Sequence, residues 1–447
     1  MVKQFMGLGI STSFGARLAA VLLAVDLAGC VPAKHSTAAS PPAAIDINAS
    51  HCRELMAALI ADSPDVAEKD FSERVRRGLP PSQLRLVWHG LQAEHGALAS
   101  WRVVKRDNLE DTDRFTLELQ FARDMMDGLV VFEPAGKIVG IFFLNAPQRP
   151  KDTGAPDPRV KQIDVTVGPV NLPGSLALPA QPAAARVPGA VLIAGSGPRD
   201  RDESVHGAKP FRDLALALAA RGIATLRYDK RTFAHPELFI ADKSPTVETE
   251  TIVDAVAAIG VLRARPELDP QRLFVIGHSL GALLAPEVAS RAGEIAGLVL
   301  LAAPGRPVLE LTLEQLRIQG VKASDLAPLE ARIHALPQLA ATESLLGLPA
   351  SYWQDLDKRD EMQIARDLGR PVLLLRGGSD QNVFAVDQER WVQALSGKVP
   401  LEAATLPGLN HLLIAGDPAA TATAHVPEDV SSRIAAFINA PPASAAH

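Results

Sequence analysis

Residues 273–276 form an apolar, strand-like run, and residues 282–289 a small-residue, helix-like run. Only Gly277-His278-Ser279-Leu280-Gly281 separates them. A chain that passes from strand to helix without a loop must bend sharply. The bend crowds its own backbone, so the residues two before and two after its apex have to be small. Gly277 and Gly281 occupy those places, and Ser279 is left at the apex with a helix N-terminus behind it. This is the G-x-S-x-G pattern, whose confirming context is strand–turn–helix. A serine hydroxyl becomes a useful nucleophile only when a base takes its proton and a carboxylate orients that base. The turn therefore asks for a fold that brings a histidine and an acid to the same edge.

The surrounding pattern predicts such a fold. Short β-rich runs at 190–194, 223–228, 273–277, 297–302, 372–376 and 401–406 alternate with helical patterns over 211–221, 247–263, 280–292, 385–395 and 428–439. That alternation predicts an α/β architecture, a mostly parallel, doubly wound sheet with helices on both faces. Runs at 163–167 and 175–178 predict an antiparallel pair ahead of it. Residues 308–369 interrupt the alternation between the sixth sheet strand and the next. They carry helical patterns at 313–319 and 326–335 and the aromatic pair Tyr352-Trp353. A helical cap insertion over the strand ends is expected there.

In a parallel sheet, groups just past the C-terminal strand ends converge on one edge. The run 372–376 leads into Gly377-Gly378-Ser379-Asp380, and the run 401–406 into Pro407-Gly408-Leu409-Asn410-His411. Ser279, Asp380 and His411 are thus the candidate nucleophile, orienting acid and base, in that chain order. A developing oxyanion needs preorganised donors. One is the backbone N–H of Leu280, just inside the helix. The other is assigned to Ser196, with Gly197 as the alternative, in the loop Gly195-Ser196-Gly197-Pro198 after the run 190–194. Pro198 has no N–H and is excluded. His278 leaves the turn in a different direction from Ser279 and is not assigned as the base. Asp200, Arg201, Asp202, Arg227, Asp229, Lys230 and Arg231 are expected to form ion pairs that position this loop. Binding an anionic substrate group is the alternative for that set. No cofactor or metal is needed for this chemistry, and no Cys/His cluster has zinc spacing.

The N-terminal part reads differently. Lys3 and Arg17 precede an apolar stretch at 18–27, too short for a permanent membrane span and interrupted by Asp26. It ends in Leu27-Ala28-Gly29-Cys30, which resembles the bacterial lipobox. The resemblance implies a signal peptide over 1–29, lipidation of Cys30, and a membrane-anchored protein of the cell envelope. Residues 30–45, rich in Ala, Ser and Pro, read as a flexible tether. Cys52 then has no intrachain partner, and is expected to be a semi-buried, inert thiol. Residues 46–147 read as a small α+β domain. Its helices are expected over 53–60, 66–76 and 83–94, and its strands over 115–121, 129–132 and 137–144, with a turn at Pro134-Ala135-Gly136. His89 and His95 in it are expected to be structural or surface residues. A linker over 148–160 leads into a larger domain over 161–440. The 447 residues carry a net charge of −6 and no long basic run, so nothing marks a nucleic-acid surface.

Residues from about 160 to 440 resemble the α/β-hydrolase superfamily. They are most similar to bacterial serine esterases of the lysophospholipase-like or acyl-transfer-like branch. The stretches that carry the likeness are GSGPRDRDES, LRYDKR, GHSLGALLAPEVA, LVLLAAPGRP, GGSDQNV and LPGLNHLL. The resemblance implies cleavage of a small carboxylic ester through an acyl-enzyme on Ser279, His411 and Asp380. Peptidase, amidase, thioesterase or acyltransferase chemistry on the same triad is the alternative. A non-catalytic envelope lipoprotein is the alternative of another class. Dehalogenases and epoxide hydrolases of this fold need a carboxylate at the turn, which Ser279 excludes. The chain departs from its relatives at Ala194, where many have histidine, and at Thr232-Phe233, where glycine is usual. The first domain weakly resembles the small domain that often precedes bacterial secreted hydrolases.

Overall fold

The computed structural model describes residues 46–109, 112–123, 125–145, 157–181, 186–205, 207–235, 238–239, 244–318, 320–416 and 424–440. The expected signal peptide, Cys30 and tether lie outside these residues.

In the N-terminal unit, helix Ile47–Ile60 starts at Asp46, whose carboxylate accepts the Ala49 N–H. Helix Pro81–His95 follows. Four strands, β1 (Leu98–Leu109), β2 (Thr112–Phe121), β3 (Met125–Phe132) and β4 (Ile138–Asn145), pair antiparallel in the order β1-β2-β3-β4. Phe115, Leu117, Leu119 and Phe121 alternate into a core with Trp88 and Leu55. Three expectations need correction. The helix expected over 66–76 is broken into single 3-10 turns and the short helix Glu73–Gly78. Phe71 is extended, and Ser72 starts a new helix by accepting the Val75 N–H, a local bond that competes with continuing the old one. Strand β1 has no counterpart in the expectations. It is an edge strand that is mostly exposed and rich in charge, with Arg102 paired to Glu118 across the ladder, so it shows no apolar alternation. Cys52 is fully buried rather than half-buried, and burial pushes its thiol up to about 12. His89 is exposed beside Asp62, and His95 is buried against Phe121.

The larger unit holds an eight-stranded sheet. Its strands are β5 (Val160–Val167), β6 (Leu172–Pro179), β7 (Val187–Ile193), β8 (Ala224–Tyr228), β9 (Leu268–His278) and β10 (Gly297–Leu301). After the two-stranded hairpin β11 (Ser344–Leu345) and β12 (Leu348–Pro349) come β13 (Val372–Gly377) and β14 (Leu401–Leu406). The order is β14-β13-β10-β9-β7-β8-β6-β5. Strands β7 to β10, β13 and β14 run parallel, while β5 and β6 pair antiparallel at the far edge. Strands β8, β10 and β13 are buried throughout because both faces are covered. Val191, Val275, Leu298 and Leu374 face one core, and Leu192, Ile276, Val299 and Leu375 the other. The helical pattern at 247–263 opens as a π-helical stretch, Glu248–Ile252, before helix Val253–Arg263.

Between β10 and β13 the chain builds a cap from helices Val308–Ile318, Ala323–His334, Ala350–Asp357 and Glu361–Leu368 and the β11–β12 hairpin. Strands β3 and β4 of the small sheet are buried on both faces. Val130 and Phe132 point to its own helices, while Leu129 and Val131 join the core that includes cap residues Leu345 and Tyr352. Helix Glu73–Gly78 also lies against β11. The N-terminal unit therefore packs onto the cap side of the larger one. Among the described residues no helix is long and apolar enough to cross a membrane.

Candidate active site

The β9–helix junction explains its glycines by contact. A Cβ on Gly277 would lie 2.2 Å from the Gly281 carbonyl oxygen, and one on Gly281 would lie 2.2 Å from the carbonyl oxygen of Ile193 in β7. Ser279, at the apex, has φ 54° and ψ −119°. A non-glycine residue in that region stores on the order of 1–3 kcal/mol of backbone strain, held by the structure around it. Helix Leu280–Ala292 begins at the next residue.

The structure brings Ser279, His411 and Asp380 together from three strand ends. His411 Nε2 lies 3.1 Å from Ser279 Oγ, and His411 Nδ1 lies 2.9 Å from Asp380 Oδ2. A carboxylate only accepts, so Nδ1 carries the hydrogen and Nε2 presents its lone pair to the serine hydroxyl. Asp380 Oδ1 accepts the backbone N–H groups of Asn382 and Val383 at 2.8 and 3.0 Å. Burial pushes the Asp380 carboxyl up. The charge and hydrogen bond of His411, with those two amides, outweigh burial and hold it below the ordinary value. Asn410 shapes the loop that carries His411. Its Oδ1 accepts the Leu412 N–H at 2.9 Å, and its Nδ2 donates to the Gly416 carbonyl at 2.8 Å.

Gly195 stands against Ser279, since a Cβ there would be 3.2 Å from Ser279 Cβ. Ser196, Gly197, Ser279, Leu280 and His411 line one cavity. Among the described residues, the backbone N–H groups of Ser196 and Leu280 have no protein acceptor. The charged set expected around this loop clamps it from outside. Arg201 grips Asp229 with two bonds of 2.9 Å, Arg227 holds Asp202 at 2.9 Å, and Asp200 accepts from Ser204. Arg231 pairs with Asp254. None of that set lines the cavity, which removes the reason for assigning it to an anionic substrate group.

His278 does point away from Ser279, but it has a partner that sequence reasoning missed. Its Nδ1 lies 2.8 Å from Glu203 Oε1, and its Nε2 lies 2.9 Å from the His411 carbonyl. Glu203 Oε1 also accepts the Gly195 N–H at 2.8 Å. One buried pair thus ties the Ser196 loop to the His411 loop. Burial pushes the Glu203 carboxyl up, and His278 with the Gly195 amide more than reverses this, keeping it below the usual range. The available signal was an acid at the end of a charged loop segment, which looks like any solvated turn. Glu250 was missed too. It is buried at the cavity wall, and Thr232, at the position where glycine is usual, donates to it at 3.3 Å.

The cavity has a volume of about 110 Å³. The cap contributes much of its apolar lining, including Leu346, Leu348, Trp353 and Leu356. Among the described residues, no three His, Cys, Asp or Glu side chains converge as metal ligands.

The sequence profile of the alpha/beta hydrolase family matches residues 190–424. This chain belongs to the α/β-hydrolase family. Esterase EstD of Thermotoga maritima is similar to this hydrolase at 34% identity over 354 residues, which cover 77% of this chain and 83% of EstD. A match of that length extends beyond the larger unit into the N-terminal one. Among solved structures, the hydrolase is similar to hypothetical protein PA2218 of Pseudomonas aeruginosa, with a TM-score of 0.46 and 15% identity over 65% of this chain and 97% of that one. The esterase Pf2001 of Pyrococcus furiosus has a TM-score of 0.42 and 18% identity over 65% of this chain and 95% of its own.

Proposed function

We propose that this hydrolase is a serine esterase that cleaves small carboxylic esters through an acyl-enzyme. The observation that carries the reading is the unbroken line Asp380–His411–Ser279, whose serine and histidine line a mostly apolar cavity, with two unpaired amides beside the serine. His411 Nε2 takes the Ser279 proton as Oγ bonds to the ester carbonyl carbon. The carbonyl oxygen gains negative charge and is held by the N–H groups of Leu280 and Ser196. One such donor is worth about 10²–10³ in rate. Collapse of this intermediate breaks the ester C–O bond, and the alcohol leaves with the proton from His411. Water, deprotonated by the same imidazole, then attacks the acyl-Ser279 and frees the acid. Asp380 keeps the ring in the productive tautomer and stabilises it when charged. The similarity to EstD supports the ester as substrate class.

Because cap side chains wall a cavity of only about 110 Å³, short and medium acyl chains are preferred. A panel of nitrophenyl esters of increasing acyl length, run beside aminoacyl anilides, tests this. Turnover is expected to be fastest on short or medium esters and weak on anilides. Preference for long chains or for anilides counts against the assignment.

We also propose that the hydrolase acts at the bacterial cell envelope, exported and anchored through a lipid on Cys30. The charged start, the apolar stretch 18–27 and the Leu-Ala-Gly-Cys ending support it. Several acyl chains on one residue suffice for stable anchoring, at about 0.8 kcal/mol per buried methylene. Labelled palmitate is expected in the wild-type protein and absent from Cys30→Ser. Equal incorporation in both rejects the anchor.

A further inference from the structure

Gly195 is held at both of its backbone polar atoms by buried charged side chains. Glu203 accepts its N–H at 2.8 Å, and Lys230 Nζ donates to its carbonyl at 3.0 Å. That carbonyl belongs to the same peptide unit as the Ser196 N–H, and the unit is trans. In a planar trans peptide the C=O and N–H point in opposite directions. Whatever draws the Gly195 carbonyl therefore aims the Ser196 N–H.

Lys230 is only 3% exposed, and its ammonium has a second partner, Glu250 Oε1, at 3.0 Å. Without that carboxylate the buried charge would be uncompensated and strongly destabilising. The other oxygen of Glu250 accepts the Tyr352 hydroxyl at 2.8 Å. Tyr352 belongs to cap helix Ala350–Asp357, is 4% exposed, and lines the cavity. Burial, with Glu250 beside it, holds its hydroxyl well above the ordinary value, so it donates throughout the working pH range. A continuous polar path thus runs from a cap side chain touching the substrate space to the peptide next to the nucleophile.

We propose that Tyr352, Glu250 and Lys230 form a positioning relay that couples the seating of the cap to the aim of the Ser196 oxyanion donor. The relay rests on the serine-esterase reading above. Its three members touch no reacting atom; they act through the Gly195–Ser196 peptide. Their contribution therefore appears when charge develops on the carbonyl oxygen, and is small in the ground state. A structural ion pair at this depth has no reason to show that selectivity.

The test uses the full chain. Tyr352→Phe is compared with Lys230→Met/Glu250→Gln, which removes both charges together and so avoids a lone buried ion. For each, kcat and KM are measured on the best ester of the panel. Affinity is measured for a chain-matched alkyl boronic acid, which forms a tetrahedral anionic adduct on serine, and for the matching N-methyl amide as ground-state mimic. Tyr352→Phe is expected to lower kcat about 5–10-fold and the double variant about 100-fold, the scale of one lost oxyanion donor. Boronate affinity falls with kcat, whereas KM and amide affinity stay within about twofold. Adding Tyr352→Phe to the double variant has no further effect. The relay is overturned if boronate affinity in Tyr352→Phe stays at the wild-type value, or if the Tyr352→Phe loss persists in full in the double variant. If the double variant does not fold, the boronate comparison on Tyr352→Phe decides alone. Ser279→Ala runs alongside: retained activity there defeats the serine mechanism itself, while an inactive Ser279→Ala beside an unaffected Tyr352→Phe defeats only the relay.

Discussion

Ser279→Ala is expected to lower kcat by about 10⁴–10⁶-fold, the range seen when a serine nucleophile is removed from such a triad. The substitution deletes one hydroxyl oxygen, and in the fold that oxygen bonds only to His411 among the described residues. Thermal unfolding should therefore stay close to wild type, which separates lost chemistry from lost structure. Covalent labelling by a fluorophosphonate should disappear in parallel, because the phosphorus has no Oγ to bond to. The residual rate reports what the free amides of Ser196 and Leu280 and the apolar cavity provide without a nucleophile. An alanine variant within tenfold of wild type would mean that another group attacks the ester. No assignment of roles to His411 and Asp380 survives that result.

Gly281→Ala is expected to destabilise the fold by about 4 kcal/mol or more, placing it in the exceptional tail of single substitutions. Helix propensity taken alone predicts the opposite sign, since alanine is favoured over glycine inside a helix by about 1 kcal/mol. Propensity loses here because the new methyl would sit 2.2 Å from the Ile193 carbonyl oxygen, a backbone atom of the central strand β7. A flexible side chain can give way, but β7 is hydrogen-bonded to strands on both sides. Any protein that does fold has to move the helix away from β7, and with it the Leu280 N–H. Denaturant unfolding measures the cost directly. An alanine variant as stable as wild type would show that the helix start is not wedged against the strand.

Much of this site was legible in the sequence, because it depends on short-range pattern. The Gly277–Gly281 turn announces itself by the spacing of small residues between a strand run and a helix run. Asp380 and His411 are visible because each follows an apolar strand by only a few residues, and a parallel sheet sends all such positions to one edge. The failures share a cause. Strand β1 faces solvent along much of its length, so its charged residues hide the period that burial imposes elsewhere. Glu203 and Glu250 look like ordinary surface charges in a linear reading, because nothing local distinguishes a buried, paired charge from a solvated one.

The alternating parallel architecture and the three side chains at the strand ends can be read from residue order alone. Strand, turn and helix signals are properties of neighbouring residues. The stacking of the layers, by contrast, puts β7 between β8 and β9, which sets the Ser196 loop beside Ser279. The same stacking brings Tyr352 of the cap to Glu250, 102 positions away in the chain. Buried charges find partners across such separations because, once water is excluded, nothing else can satisfy them. Which partner each finds depends on how the layers stack, and that is a property of the folded whole.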